Sequence, residues 1–180
     1  VVDDGDVSID KQIADRLQEP LLHLLRNAVD HGIETPDERR AAGKPEIASI
    51  ALRASIVAGK VEIVVTDDGR GIDAAAVRKA AVAHGLVDKA AAPRLEDAAV
   101  HDLLFSPGFS TRSTATDVSG RGVGLDVVKT VVTELGGSVR IEAARAGGGG
   151  GMRVTLSVPV SLALVRALEF ASESGLFAVP

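Results

Sequence analysis

The chain of 180 residues contains no cysteine, no tryptophan and no tyrosine, and aromatic residues make up only 2% of it. Without cysteine there are no disulfides, no thiol nucleophile and no thiolate metal site. This fits a reducing compartment, and the expected location is cytoplasmic. The scarcity of aromatics removes the stacking platforms used to hold single-stranded nucleic acid. A net charge of −5 disfavours non-specific nucleic-acid binding, so no nucleic-acid partner is expected. No apolar run approaches the roughly 18 residues a membrane span needs, so no direct membrane insertion is expected, and no signal peptide opens the chain. What remains is an ordinary globular mixture, 46% hydrophobic and 25% charged, long enough for one domain with a full core. The first residue is Val1 rather than Met, and the chain reads as a piece of something longer.

Periodicity and punctuation place the elements. Asp10 caps a helix from Lys11 to Gln18, and Pro20 suits the first turn of a second helix that runs to His31 and stops at Gly32. Thr35-Pro36-Asp37-Glu38 is a capping box opening a short helix that ends near Gly43. Ile50, Leu52, Ala54 and Ile56 alternate, as do Val61, Ile63 and Val65, with a turn at Ala58-Gly59-Lys60; this is a β-hairpin. Asp73 caps an Ala-rich helix ending near Gly85, and another helix lies near Leu95 to Leu104. Phe105 to Ser119, rich in Ser, Thr and Gly, reads as a long mobile loop, and loops of that length usually carry function. Gly124 opens a helix to about Leu135, followed by strands at 138–143 and 153–158 joined through Gly147 to Gly151. After Pro159 an apolar tail with a turn at Ser174-Gly175 reads as the first hairpin of a second domain.

Four polar residues stand out on the helix before Gly32. His23, Asn27, Asp30 and His31 fall at i, i+4, i+7 and i+8 and share one side, bordered by Arg26; Leu22, Leu25, Ala28 and Val29 read as the core side. An ordinary solvated face would carry Lys and Glu instead. Asp67 is in phase with Val61, Ile63 and Val65 and begins Asp67-Asp68-Gly69-Arg70-Gly71. A buried carboxylate there can accept a hydrogen bond from an exocyclic amine such as that of adenine, and the glycines permit close backbone approach. Asp68 beside it reads as a surface residue, and His84 and His101 as surface or helix-end histidines. Gly120-Arg121-Gly122-Val123-Gly124-Leu125 opens a helix, and glycines at a helix start expose backbone N–H groups to anions. A Rossmann fold needs a strand immediately before such a loop, and a P-loop needs Gly-Lys-Ser/Thr; the chain offers neither.

The order of these motifs resembles the N, G1 and G2 boxes of the GHKL ATPases, the superfamily of gyrase, the heat-shock chaperone ATPase, histidine kinases and mismatch-repair ATPases. The segments Leu22 to Glu34, Phe109-Ser110-Thr111 and Val118 to Val128 are similar to the ATP-binding domain of the chemotaxis kinase CheA. Pro159 to Leu164 resembles the join to a CheW-like regulatory domain. The resemblance covers nearly the whole chain. It implies a two-layer α/β (α+β) sandwich of the GHKL, or Bergerat, type: a mixed, mostly antiparallel sheet with helices on one face. It implies residues 1–160 as the ATP-binding kinase catalytic domain and 161–180 as the truncated start of a CheW-like, SH3-like domain.

The same resemblance implies roles. Asn27 would hold Mg²⁺ bridging the ATP phosphates, and His23 would act on the attack side near the γ-phosphate. Asp30 and His31 would support the metal shell and phosphates; Asp67 would read the adenine amine, with Gly69, Gly71 and Ile72 around the ring. Ser110, Thr111, Ser119 and Gly120, Arg121, Gly122, Val123, Gly124 and Leu125 would receive phosphates or form the lid. The reaction would be transfer of the γ-phosphoryl to a histidine on a separate domain of the same or a partner chain. A CheW-like adaptor and chemoreceptors would act through the regulatory domain, and a response regulator downstream. The full-length protein would be a homodimer and this piece a monomer. Two other readings fit the motifs: a nucleotide-gated interaction module without catalysis, and a GHKL kinase acting on serine, as anti-sigma factor kinases do. Two departures from the family stand in the chain: Gly151-Met152 where Gly-Thr is usual, and Arg112 as the one basic residue between Phe109 and Gly120.

Overall fold

A computed structural model describes residues 2–3, 7–109, 124–144, 150–161, 168–172 and 175–179. Its strands are β1 (Val2–Asp3), β2 (Ile50–Val57), β3 (Lys60–Asp67), β4 (Ser138–Ala143), β5 (Met152–Pro159), β6 (Leu168–Ser172) and β7 (Gly175–Val179). Its α-helices are α1 (Lys11–Asn27), α2 (Pro36–Ala41), α3 (Ala74–Ala83), α4 (Asp97–Leu103) and α5 (Leu125–Glu134). Five strands form one sheet in the order β1-β2-β3-β5-β4, in which β1 runs parallel to β2 and every other pair is antiparallel. The mixed, mostly antiparallel sheet expected from the resemblance is therefore present. Among the described residues β6 and β7 pair only with each other, with Phe170 opposite Phe177.

Alternation along β3 and β5 sends Val61, Ile63, Val65, Val154, Leu156 and Val158 to one face, where they meet Ile13, Leu17 and Leu24 of α1 and Val128 and Val132 of α5. Burying each such side chain contributes about 1.5–3 kcal/mol, so this single layer of helices on one face holds the domain together. Asp67 ends the same inward row of β3 and is buried with it. A polar side chain is thereby delivered to the edge of an apolar core by strand periodicity alone.

The structure corrects three expectations around α1. Lys11–Asn27 is one helix with Pro20 inside it, not two helices. Proline there removes the N–H that would bond the Arg16 carbonyl, a cost of about 3 kcal/mol, and the buried Pro20 ring packs on the core side with Leu17 and Leu24. Leu22 and Val29 do not face the core; they are 55% and 60% exposed, and the buried stripe is Ile13, Leu17, Pro20, Leu24 and Ala28. After Asn27 the chain widens into a π-helical turn, Ala28–Gly32, closed by Ile33 N–H donating to the Ala28 carbonyl at 2.8 Å. Such turns recur at functional sites.

The capping box at Thr35 forms, with Thr35 N–H donating to Glu38 and Glu38 N–H to Thr35 Oγ1. Phe105 is 4% exposed and belongs to the core, with the Lys129 ammonium 5.3 Å from its ring centre. Helix α4 ends at Leu103 and residues 104–109 follow as turns, as expected for the start of the long loop; residues 110–119 of that loop lie outside the described residues. His84 ends α3 with its ring tilted against Phe109.

Candidate nucleotide site

The site grows from two neighbouring segments. On α1, Asn27 Nδ2 lies 2.9 Å from His23 Nε2 and donates to it, so His23 is the neutral tautomer with its proton on Nδ1. Burial pushes the His23 pKa down and the charge of Arg26 adds to this, against Asp126 and Glu19. Asp126 and His31 both act on His23 electrostatically, so the start of α5 lies near the α1 face. Asp30 and His31 are exposed on the π-helical turn, and among the described residues their side chains make no hydrogen bond.

The second segment is the loop after β3. Asp67 is 4% exposed, and its Oδ1 accepts from Gly69 N–H at 2.9 Å and from Met152 N–H at 3.2 Å. Oδ2 accepts no hydrogen bond among the described residues. Burial raises the Asp67 pKa, the two N–H groups work against this, and the neighbouring charges of Asp68 and Glu34 add to the rise. The carboxylate is thus anchored by one oxygen and leaves the other for an amine donor. Gly32, closing the π-helical turn, lies against it: a Cβ there would stand 3.6 Å from the carboxylate. The Gly32 carbonyl accepts from Arg70 N–H at 2.8 Å, which ties the end of the turn to the loop.

Close approach fixes the glycines. A Cβ at Gly69 would overlap the Gly32 carbonyl oxygen, and one at Gly151 would overlap the Asp67 carbonyl oxygen. Gly71 holds φ +76°, and Ile72 follows partly buried against the core. Gly124 precedes α5 as expected, with the Asp126 carboxylate where its Cβ would lie, and Leu125 packs against the core. Ser110, Thr111, Ser119, Gly120, Arg121, Gly122 and Val123 lie outside the described residues.

Several residues here were not read from the sequence as part of the site. Asp68 is not a plain surface residue. Its carboxylate receives Arg39 Nη2 at 2.9 Å and Nη1 at 3.2 Å, and Ser49 N–H at 3.0 Å. Burial works to raise the Asp68 pKa, but these donors and the charges of Arg39 and Lys44 hold it below the usual range. Glu34 behaves in the same way, with Lys44 and Arg39 outweighing its burial. Gly32, Glu34, Arg39 and Lys44 carried no signal beyond a helix stop and a charged stretch; only the folded contact reveals them.

For a metal, no cluster of three or more His, Asp or Glu side chains able to hold an ion exists among the described residues. Mg²⁺ commonly takes one or two protein ligands and fills its shell with water and phosphate oxygens. With Nδ2 turned to His23, the Asn27 amide has Oδ1 left for such a cation.

A mostly antiparallel sheet with helices on one face, and a buried carboxylate at the end of β3 lying against Gly32 of the turn after α1, are the fold of an ATPase domain. The family described as "Histidine kinase-, DNA gyrase B-, and HSP90-like ATPase" matches residues 12–162, and the chain belongs to it. ATP is the nucleotide of this family. The chain is 38% identical over 180 residues to the chemotaxis protein CheA of Listeria monocytogenes, covering 100% of this chain and 29% of that protein. It is 43% identical over 180 residues to CheA of Halobacterium salinarum (100% and 26%). It is 42% identical over 168 residues to the gliding motility regulatory protein of Myxococcus xanthus (93% and 21%). The chain thus spans less than a third of the length of these relatives. The nucleotide-free catalytic domain of the histidine kinase ThkA shares the fold, with a TM-score of 0.50 and 20% identity over 89% of this chain and 76% of that one. No helix among the described residues is long and apolar enough to cross a membrane.

Proposed function

We infer that this chain is the ATP-binding catalytic domain of a CheA-type kinase, transferring the γ-phosphoryl of Mg·ATP to a histidine on a separate phosphotransfer domain. The observation that carries this reading is the Asp67 carboxylate, buried, held by two backbone N–H groups through Oδ1, and open at Oδ2. An adenine amine donating to Oδ2 would orient the base. It would leave the phosphates toward His23 and Asn27 and the start of α5.

In this reading Asn27 Oδ1 holds Mg²⁺, which when bound neutralises phosphate charge. His23 is kept neutral by burial, and its basic Nε2 would have to release the Asn27 amide before taking a proton beside the transferred group. Positioning and charge neutralisation supply most of the rate in phosphoryl transfer. Residues 161–180 begin a CheW-like domain, a boundary supported by the end of β5 at Pro159 and by the separate β6–β7 pair. The adaptor, chemoreceptors and response regulator belong to the complete protein, whose expected setting is a cytoplasmic homodimer.

The test supplies ATP labelled at the γ-phosphate and a CheA-type phosphotransfer domain. Label on the acceptor that is lost in acid and stable in base establishes phosphohistidine. Acid-stable label would make the chain a serine kinase, and nucleotide binding without transfer would make it a gating module.

A further inference from the structure

Charged side chains outside the motif residues converge behind the Asp67–Gly71 loop. Arg39 is fully buried; it donates from Nε to the Pro45 carbonyl at 2.6 Å, from Nη1 to Glu34 at 3.2 Å, and from both Nη atoms to Asp68. Lys44 Nζ donates to Glu34 Oε1 at 2.7 Å, to the Gly69 carbonyl at 2.8 Å and to the Asp68 carbonyl at 3.1 Å. A Cβ at Gly150 would stand 2.6 Å from the same Nζ. One ammonium therefore lies between Glu34, two successive peptide carbonyls of the loop and the backbone leading into β5.

The three donors of a lysine ammonium are all spent here. Apolar side chains could fill the same space and stabilise the fold as well, but they would not fix the direction of a peptide carbonyl. Lys44 fixes two, and these belong to the residues immediately after Asp67. The peptide whose Asp68 carbonyl Lys44 grips also supplies the Gly69 N–H that anchors Asp67 Oδ1. Displacing the loop would swing that N–H and turn Oδ2 away from the base.

We propose that Lys44 is a positioning residue for adenine recognition, holding the Asp68 and Gly69 carbonyls so that Asp67 keeps one oxygen aimed at the base, with Glu34 and Arg39 holding Lys44 and Asp68 in turn. The proposal rests on the reading of Asp67 as the adenine acceptor.

Calorimetric titration of this chain with ADP, ATP and GDP in EDTA separates the two. Wild type binding ADP no better than GDP refutes the adenine reading itself, and this proposal falls with it. Given adenine preference in the wild type, Lys44→Met is expected to weaken ADP and ATP binding by the same factor, about tenfold, and to narrow the preference over GDP. Lys44→Arg is expected to restore part of that preference. Unchanged ADP affinity overturns the proposal. So does a loss confined to ATP, which would place Lys44 on the phosphates, or an equal loss for ADP and GDP, which would mean general loosening. Glu34→Gln keeps the ammonium and both carbonyl bonds and should show a smaller loss of the same kind. If Lys44→Met does not fold, this variant decides, and ADP affinity and preference equal to wild type refute the proposal.

Discussion

Met152 N–H donates to Asp67 Oδ1 at 3.2 Å from across the β3–β5 pair. The position is one where the family resemblance suggests a threonine hydroxyl. Here the contact to the carboxylate comes from the main chain, so a methionine can occupy it without leaving Oδ1 bare. The Met152 side chain packs against the core.

Asp67→Asn is expected to separate stability from function. The buried carboxylate has its pKa raised by burial, so the ionised form costs folding free energy at neutral pH. An amide can still accept from Gly69 and Met152 through Oδ1. The nucleotide-free variant should be more stable by about 1 kcal/mol, or roughly 2–4 °C for a domain of this size. Losing the acceptor for the adenine amine should weaken ATP binding about ten- to a hundred-fold. Thermal unfolding and titration with a fluorescent ATP analogue measure both; a variant that binds ATP as well as wild type removes Asp67 from the adenine site.

Gly69→Ala should be far more damaging than Gly85→Ala. A methyl at Gly69 overlaps the Gly32 carbonyl, which already accepts from Arg70. Relief requires parting the π-helical turn from the loop, at a cost of about 2–4 kcal/mol. Gly85 has φ +69° but open space around its Cβ, so alanine there meets backbone strain alone, about 1 kcal/mol. Urea unfolding of the two variants checks the order.

Ala58 occupies φ +49° in the two-residue turn between β2 and β3, whose register pairs Val57 with Lys60. Both central residues of such a turn take positive φ, and Asn-Gly is its preferred sequence. Ala58→Asn should stabilise the domain by about 0.5–1 kcal/mol and leave nucleotide affinity unchanged, since the turn is at the other end of β3 from Asp67.

Much of this architecture was legible in the sequence because it depends on period and punctuation. The alternation of Val61, Ile63 and Val65 put Asp67 on the inner face, and the structure buries it there. Asp73, Gly124 and Thr35 mark helix starts as expected. Pro20 misled because local cost argued for a break, while burial of its ring among Leu17 and Leu24 keeps the helix whole. Leu22 and Val29 misled because the buried stripe of α1 runs through Ile13, Leu17, Pro20, Leu24 and Ala28 and leaves them to the side, exposed. The π-helical turn and the contacts of Lys44 and Arg39 were illegible, since each depends on residues brought together from α2, the loop after β3 and the start of β5.

Asn27→Ala should weaken nucleotide binding more with Mg²⁺ present than in EDTA. The amide has Nδ2 committed to His23, which leaves Oδ1 to act through the cation. Calorimetry with ATP under both conditions checks this, and equal losses would make Asn27 a structural partner of His23 only.

The carboxylates around the loop carry opposite linkage to pH. Asp68 has its folded pKa lowered, against its burial, by Ser49 N–H and Arg39. Its contribution is therefore present above its unfolded value, about 3.9, and is lost as pH falls through the lower folded value. Asp68→Asn should destabilise the protein by about 1–2 kcal/mol at neutral pH, and the difference from wild type should vanish only in strong acid. Asp67 has its folded pKa raised by burial, so its cost is greatest when fully ionised and is relieved as pH falls through that raised value. The stabilisation from Asp67→Asn should therefore be largest at neutral pH, shrink on mild acidification and be gone below about pH 4. Comparing each variant with wild type cancels the separate contribution of His23, whose depressed pKa acts on all three proteins. Urea unfolding from pH 7 downward reads both differences; they should have opposite signs, and the Asp67 difference should fade first. An Asp67→Asn stabilisation that stays constant down to pH 4 would show that ionisation of Asp67 costs the fold nothing.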